Sequence, residues 1–174
     1  MTSPQTIPEL VPNSGPVLVG GYRAIPTTGT PSLGSGTTNA RYFLNTQQDN
    51  RIRQRGNLTQ VEFYIGTIPA ELTAFYVQVW RKNVSGTYDR ISSEDILPKL
   101  ADGMNLVVLT TPVQVNEGDF VGYAFTGSAP PGNFLIALSG HSGTRYVDIQ
   151  PSETEYAWES GPTTVSSFFQ IQTY

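Results

Sequence analysis

The single histidine of the chain, His141, is the first residue whose chemistry we consider. A Ser–His hydrolytic site would need it as the general base, because the sequence has no other imidazole. It lies in Ser139-Gly140-His141-Ser142-Gly143, which does not match the Gly-x-Ser-x-Gly nucleophile elbow and is not expected to join a strand to a helix. The pattern therefore favours a loop histidine over a catalytic one.

Acidic residues give no stronger sign of catalysis. Glu153, Glu155 and Glu159 cluster around Trp158, but nothing in their spacing sets the carboxylate separation that a glycosidase requires. The chain has no cysteine, which excludes thiolate nucleophiles and thiolate metal sites. It also lacks a phosphate-binding loop and a dinucleotide fingerprint. We predict that the protein is not an enzyme and has no catalytic residue and no cofactor.

Metal binding has little support in the sequence. The acids Glu117, Asp119 and Asp148 could offer oxygen ligands to a structural Ca²⁺. Their spacing is not that of an EF-hand loop, which places its ligands within twelve residues. We predict no metal site.

One short aromatic segment has the residue types of a sugar-binding surface. Tyr156 and Trp158 are two positions apart, so they share one face if the segment is a strand. Aromatic rings stack on the apolar faces of sugars, while carboxylates such as Glu155 accept hydroxyl protons. The candidate glycan site is therefore Trp158, Tyr156 and Glu155. The alternative, favoured for Trp158, is that these rings fill the core.

Charge and hydropathy exclude several classes of partner. Only 14 % of the 174 residues are charged and the net charge is −4, so we predict no nucleic-acid binding. Arg51, Arg53 and Arg55 alternate and would project together from a strand, either as a solvated face or as a patch meeting acids on a partner subunit. No apolar run approaches about 18–20 residues, and no basic, apolar leader is present, so we predict no membrane association and no signal peptide.

Many short β-branched and aromatic segments predict an all-β fold. They alternate with turn signals such as Ser85-Gly86 and Asp102-Gly103, as is typical of antiparallel sandwiches and barrels. The predicted strands are 41–44, 58–65, 74–81, 88–92, 106–109, 113–115, 120–126, 134–138, 146–149, 156–159 and 167–173.

The central stretch 105–126 carries the clearest pattern. An apolar run, 106–109, is ended by Thr110-Thr111-Pro112, and Val113 and Val115 then alternate with polar residues. Glu117-Gly118-Asp119 predicts a tight turn before the next strand. Upstream, the acids after Ser92 predict at most one or two helical turns, which Pro98 would end.

Four prolines in the N-terminal segment predict either an extended arm or a flexible tail. Proline lacks an amide donor and biases the residue before it towards extended conformations. The sequence predicts an arm and loop over 1–37 and a single β-sandwich domain over 38–174. The arm residues are Pro4, Pro8, Pro12 and Pro16.

The segment from Leu58 to Thr126 resembles jelly-roll β-sandwich modules. The likeness lies in the strand that ends Val79-Trp80-Arg81, in Gly103-Met104-Asn105 leading into 106–109, and in Gly118-Asp119-Phe120-Val121-Gly122. Such modules occur in carbohydrate-binding proteins and in phage and virus surface proteins. The resemblance implies an architecture and carries over no binding residue, because one sandwich supports many functions.

The sequence is compatible to different degrees with three functions: an assembly subunit, a glycan-binding module and an enzyme. The arm, the β-rich pattern and the absence of cysteine favour a virion structural protein of a bacteriophage or virus, such as a decoration, fibre or tail component. Its partners would be copies of itself or other assembly subunits, with a cell-surface glycan as a further ligand. The alternative is a carbohydrate-binding module, located outside the cell without a signal peptide or in the cytoplasm.

Overall fold

The computed structural model describes residues 37–45, 51–65, 67–68, 70–127, 142–149, 153–158, 163–166 and 172–173. These residues form strands and one turn of 3-10 helix, so the predicted all-β class is confirmed. The strands are β1 (Thr37–Asn45), β2 (Gly56–Ile65), β3 (Leu72–Lys82), β4 (Tyr88–Asp95), β5 (Gly103–Val115), β6 (Phe120–Gly127), β7 (Ser142–Ile149), β8 (Glu155–Tyr156), β9 (Thr163–Ser166) and β10 (Gln172–Thr173); the 3-10 turn is Leu97–Lys99.

The strands form two antiparallel sheets of unequal size. The larger has seven strands in the order β8-β4-β3-β6-β1-β7-β9, and the smaller has three in the order β10-β2-β5. The longest pairings are β2 with β5 and β3 with β6. Strand β5 is therefore an edge of the smaller sheet within the described part of the chain.

Residues of both sheets form one hydrophobic cluster. Strands β3 and β6 contribute alternate residues such as Phe75 and Tyr123, whose rings stack with centroids 5.9 Å apart. The smaller sheet contributes alternate residues of β2 and β5, because successive side chains of a strand point to opposite faces. The buried members are Ile52, Leu58, Val61, Ile65, Leu72, Phe75, Val77, Val79, Ile96, Val107, Leu109, Val115, Val121, Tyr123 and Phe125.

The opposite face of the larger sheet carries a second buried cluster. Trp80 lies on that face, as its place in the alternation predicts, and is fully buried. Its indole Nε1–H donates to Gln78 Oε1 at 3.2 Å, which satisfies the one polar atom of the ring. This face of the sheet is therefore buried at Trp80. The cluster consists of Leu44, Trp80, Tyr88, Phe120, Ala124 and Trp158.

The predicted break at Thr110-Thr111-Pro112 is a register shift inside one strand. Leu58 lies opposite Val113, yet Gln60 lies opposite Val108, so β5 has three more residues than β2 between these pairs. Separate strands 106–109 and 113–115 were the prediction, and it was wrong because the backbone stays extended through this irregularity. The turn at Gly118 is confirmed, with φ of 94° and an Asp119 N–H bond to the Asn116 carbonyl.

The predicted helix after Ser92 is displaced. Residues up to Asp95 pair with β3, and only Leu97–Lys99 form a 3-10 turn. The Asp95 carboxylate accepts the backbone N–H groups of Phe75 at 3.1 Å and Leu97 at 3.0 Å. These bonds join the end of β4 to β3 and to the 3-10 turn. The turn itself contains no acidic residue.

Several predictions lie outside the described residues. They are the proline arm with Pro4, Pro8, Pro12 and Pro16, and the strand 134–138; the boundary between an arm and a domain near residue 37 stays a prediction. Strand β9, in contrast, was not expected from the sequence.

Gly127 is the glycine whose replacement should harm the fold most. It has φ of 100°, and a Cβ there would overlap the Glu71 carbonyl oxygen and lie 2.9 Å from Thr73 N. Gly127→Ala should lower the free energy of unfolding by more than the ~1–2 kcal/mol expected for a left-handed backbone alone, measured by urea denaturation. Gly86→Ala is the matched control, since φ there is 91° with nothing within 4 Å. Equal losses for the two variants would contradict the close contact at Gly127.

Candidate functional site

A groove of about 590 Å³ lies between the edges of the two sheets, where β4 faces β5. Its apolar wall includes Leu58, Val77 and Leu109, and its polar rim includes Ser92 and Glu94. Strand β8 covers only the Tyr88–Asp89 end of β4. The groove therefore opens between β4 of the larger sheet and β5 of the smaller sheet, among the residues that the structure describes.

The inner face of β4 is polar where the core ends. Ser92 is paired with Val79, and Glu94 with Val77. Directly paired residues of antiparallel strands point to the same face, so Ser92 and Glu94 lie on the same side as the core residues of β3. Polar side chains at this position can reach water at the mouth of the groove without leaving an apolar surface exposed.

Glu94 and Lys99 form hydrogen bonds with backbone groups at the edge of β5 that is not paired with β2. The Thr110 N–H donates to the two Glu94 carboxylate oxygens at 3.0 and 2.9 Å. Lys99 Nζ donates to the Val108 carbonyl at 2.9 Å and to Glu94 Oε1 at 2.6 Å. The Thr110 hydroxyl donates to Glu94 Oε1 at 2.8 Å and accepts from Lys99 at 3.0 Å. We call Glu94, Lys99 and Thr110 the edge cap.

The charge of Glu94 is stabilised by this network. Partial burial is the largest single effect and raises its pKa, but the hydrogen bonds from Lys99 and Thr110 together outweigh it and hold the pKa below the usual range. The side chains of Glu94 and Lys99 are 23 % and 35 % exposed. The ion pair is therefore partly screened by solvent, and the cap depends on its hydrogen bonds as well as on its charges.

An apolar row runs along the outer face of β5. Met104, Leu106 and Val108 are 47 %, 59 % and 62 % exposed, whereas Asn105, Val107 and Leu109 are buried. Their neighbours across the strand pair are polar where described, with Glu62 opposite Leu106 and Gln60 opposite Val108. No residue of β5 is charged. The combination of an open edge, no charge and an exposed apolar row is what natural proteins usually avoid.

A second concavity, of about 480 Å³, lies at the corner before β6 and includes Arg51 and Tyr88 in its lining. Asp119 is 2 % exposed there and accepts two bonds from Arg81, both at 2.8 Å, and one from the Asn116 N–H at 2.7 Å. The hydrogen bond to Asp119 is the main reason that the pKa of Arg81 is raised. Because these donors occupy its carboxylate, Asp119 holds the turn in place.

The candidate glycan residues lie together but are largely engaged within the protein. Trp158 is fully buried, and its ring contacts both Trp80 and Tyr156 edge to face with centroids 5.4 Å apart. The burial matches the alternative in which Trp158 fills the core. Tyr156 is half-buried and Glu155 is exposed.

Glu155 bonds to the hairpin between β3 and β4. It accepts the Thr87 hydroxyl and, at 3.3 Å, the Asn83 side-chain amide. The same amide donates to Thr87 Oγ1 at 2.6 Å. This polar network attaches β8 to the edge of β4, which is a structural role for the carboxylate; sugar binding by Tyr156 and Glu155 stays a prediction.

The other sequence-derived sites are resolved only in part. Arg51, Arg53 and Arg55 are all exposed, as both a solvated face and a patch that meets a partner subunit require. His141 lies outside the described residues, as do the four arm prolines. No group of three or more His, Cys, Asp or Glu side chains suited to a metal ion occurs among the residues that are described.

The edge cap and the outer row were not identified from the sequence. The run 106–109 reads as a single apolar strand, but its apolar residues alternate between two faces. The signal that was available is that Leu106 and Val108 would be exposed if Val107 and Leu109 face the core. Nothing in the sequence links Glu94 to Thr110, because their contact depends on how two sheets meet.

Comparisons with known proteins found no matching family model, no similar curated protein and no similar solved structure. Over the residues that the structure covers, no helix has the length and hydropathy to cross a membrane.

Glu94 should make the free energy of unfolding depend on pH in the acidic range. Its pKa is lowered in the folded state, so the charged carboxylate stabilises the fold above its unfolded pKa of about 4.3. This contribution is lost as the pH falls through the lower, folded pKa. Urea denaturation at several pH values gives the free energy of unfolding of the wild type and of Glu94→Gln. The wild type should be more stable by a constant amount near neutral pH, and this difference should disappear in strong acid. Glu71→Gln, at an exposed position, is the control and should show no such difference; an advantage that persists in acid would contradict the role of the charge.

Proposed function

We propose that the protein is a non-enzymatic structural or attachment subunit of a macromolecular assembly, of the kind that forms phage or virus particles as a decoration, fibre or tail component. The observation that carries this proposal is the exposed apolar row Met104, Leu106 and Val108 on the edge strand β5. Its location would then be the virion, and its partners would be further copies or other subunits.

The row supports an interface because its members are contiguous. Single exposed apolar side chains are common on soluble proteins, but apolar patches beside an open strand edge mark association sites. Burying such a row against a second subunit removes apolar area from water at about 25 cal/mol per Å² before the cost of association. An assembly without disulfides depends on contacts of this kind.

The architecture that fits this function is a jelly-roll-like β-sandwich with the two sheets as its layers. The supporting observation is the hydrophobic cluster that β2 and β5 share with β3 and β6. Residues 1–37 would add an extended arm that contacts a neighbouring subunit, since an extended chain can supply strand-like hydrogen bonds to an exposed edge. The arm and the row on β5 are separate contributions to one assembly.

A carbohydrate-binding module remains the second candidate, and the structure lends it less support. Trp158 has no exposed surface on which a sugar could stack, and Glu155 already accepts two hydrogen bonds from the hairpin. Tyr156 alone retains partial exposure among the aromatic residues of that candidate site.

A charge placed in the apolar row should abolish self-association. Leu106→Lys should convert the oligomer into a monomer, since pairing two copies at this face would bring like charges together in a desolvated surface. Light scattering gives the native mass, and Asn57→Lys, an exposed position on β2, is the control that should keep it. An unchanged mass in Leu106→Lys would contradict an interface at the row.

Removal of residues 1–36 should reduce the assembly while leaving the described strands intact, because β1 begins at Thr37. The expected result is a smaller native mass than that of the full chain with an unchanged β-type circular dichroism spectrum. If both chains were folded monomers, neither the arm nor the row would support an assembly, and a glycan screen with Tyr156→Ala would become the informative experiment.

A further inference from the structure

The edge cap identifies which backbone groups of β5 face its open side. The Thr110 N–H and the Val108 carbonyl bond to Glu94 and Lys99, away from β2. Backbone groups of alternate residues point to the same side of a strand, so Met104 and Leu106 also present their N–H and carbonyl groups to that side. The side chains of the same two residues lie in the exposed outer row.

The cap divides the edge into a closed part and an open part. At Val108 and Thr110 the groups that an added strand would need are already bonded, and Pro112 has no N–H to offer. Between Gly103 and Val107 the described structure places no strand or cap on the open side of β5. The part Gly103–Val107 can therefore accept another strand without first breaking the cap.

A second copy of the chain fits as that added strand, because the exposed Met104 and Leu106 side chains can pack against the same apolar side chains of the copy. The protein carries a net charge of −4, so a contact between two copies is least opposed where no charged side chain lies. Strand β5 contains no charged residue along its whole length, so pairing β5 with itself places no like charges opposite one another. Strand β5 has no charged side chain with which a charged strand of a different protein could form an ion pair.

We propose that β5 pairs antiparallel with β5 of a second copy about a two-fold axis at Asn105, with Met104 opposite Leu106 of the second copy. The pairing joins the two smaller sheets into one of six strands and packs the exposed Met104 and Leu106 side chains against each other. The edge cap limits this pairing to Gly103–Val107. The inference rests on the proposed assembly function and specifies its contact.

The absence of cysteine allows a direct test of this register on the full chain. Directly opposed residues that exchange hydrogen bonds have Cα atoms about 5.5 Å apart, within the range that a disulfide spans. Under mild oxidation, a mixture of Met104→Cys and Leu106→Cys chains should form at least tenfold more disulfide-linked dimer than either variant alone. Both positions are exposed, and urea denaturation verifies that each variant folds.

Val108→Cys tests the role of the cap. In the proposed register the two substituted positions lie about 20 Å apart along the strands at roughly 3.4 Å per residue, so this variant alone should not cross-link. Replacing both cap partners of this variant with apolar residues, Glu94→Leu and Lys99→Met, removes the bonds to the Thr110 N–H and the Val108 carbonyl. The edge is then free for a slipped register centred on residue 108, so disulfide-linked dimers should appear. The matched control combines Val108→Cys with Glu71→Leu, an exposed position outside the cap, and should stay unlinked.

The possible outcomes distinguish a failure of the proposed register from a failure of the proposed function. An oligomeric chain in which the 104 and 106 variants do not cross-link preferentially would overturn the register and leave the assembly function standing. Cross-linking of Val108→Cys with the cap intact would overturn the limit set by the cap. A monomeric full chain at all concentrations in light scattering would overturn both proposals.

Discussion

The contact between two sheets of unequal size is the constraint on which the rest of the structure depends. Among the described residues, three strands pack against a sheet of seven, the shared hydrophobic cluster draws on β3 and β6, and the next strand, β4, turns polar residues to the same side. Glu94 of β4 reaches across to the backbone of β5. The groove, the cap and the open edge are all consequences of this one mismatch.

Burial on both faces explains the composition of the centre of the larger sheet. All residues from Phe120 to Phe125 in β6 are buried, with one set in the cluster shared by the sheets and the other in the cluster around Trp80 and Trp158. Such strands read as continuous apolar runs because neither face is solvated. Trp158, one of the two aromatic residues that suggested a sugar surface, lies in this second cluster.

Local patterns in the sequence predicted the fold class, most strand positions and the turns at Gly86, Gly103 and Gly118, since alternation and turn chemistry act over a few residues. They did not predict the sheet order or the edge cap. Glu94 was assigned to the start of a helix because acids after a serine usually cap one; its actual partners depend on tertiary placement. The burial of Trp158 likewise depends on its contact with Trp80 of β3, a tertiary contact that sequence periodicity cannot show.

The contacts of the edge cap are short in sequence, with separations of 5 to 16 residues, whereas the pairing of β5 with β2 joins segments much farther apart in the chain. Closing a short loop costs less entropy than closing a long one, so the cap is able to form before β5 has found its partner strand. During folding, when unpaired strands are most prone to aggregate, the uncharged strand would then already be protected at Val108 and Thr110. The cap that is proposed to limit association in the native state would in this way also protect the nascent chain.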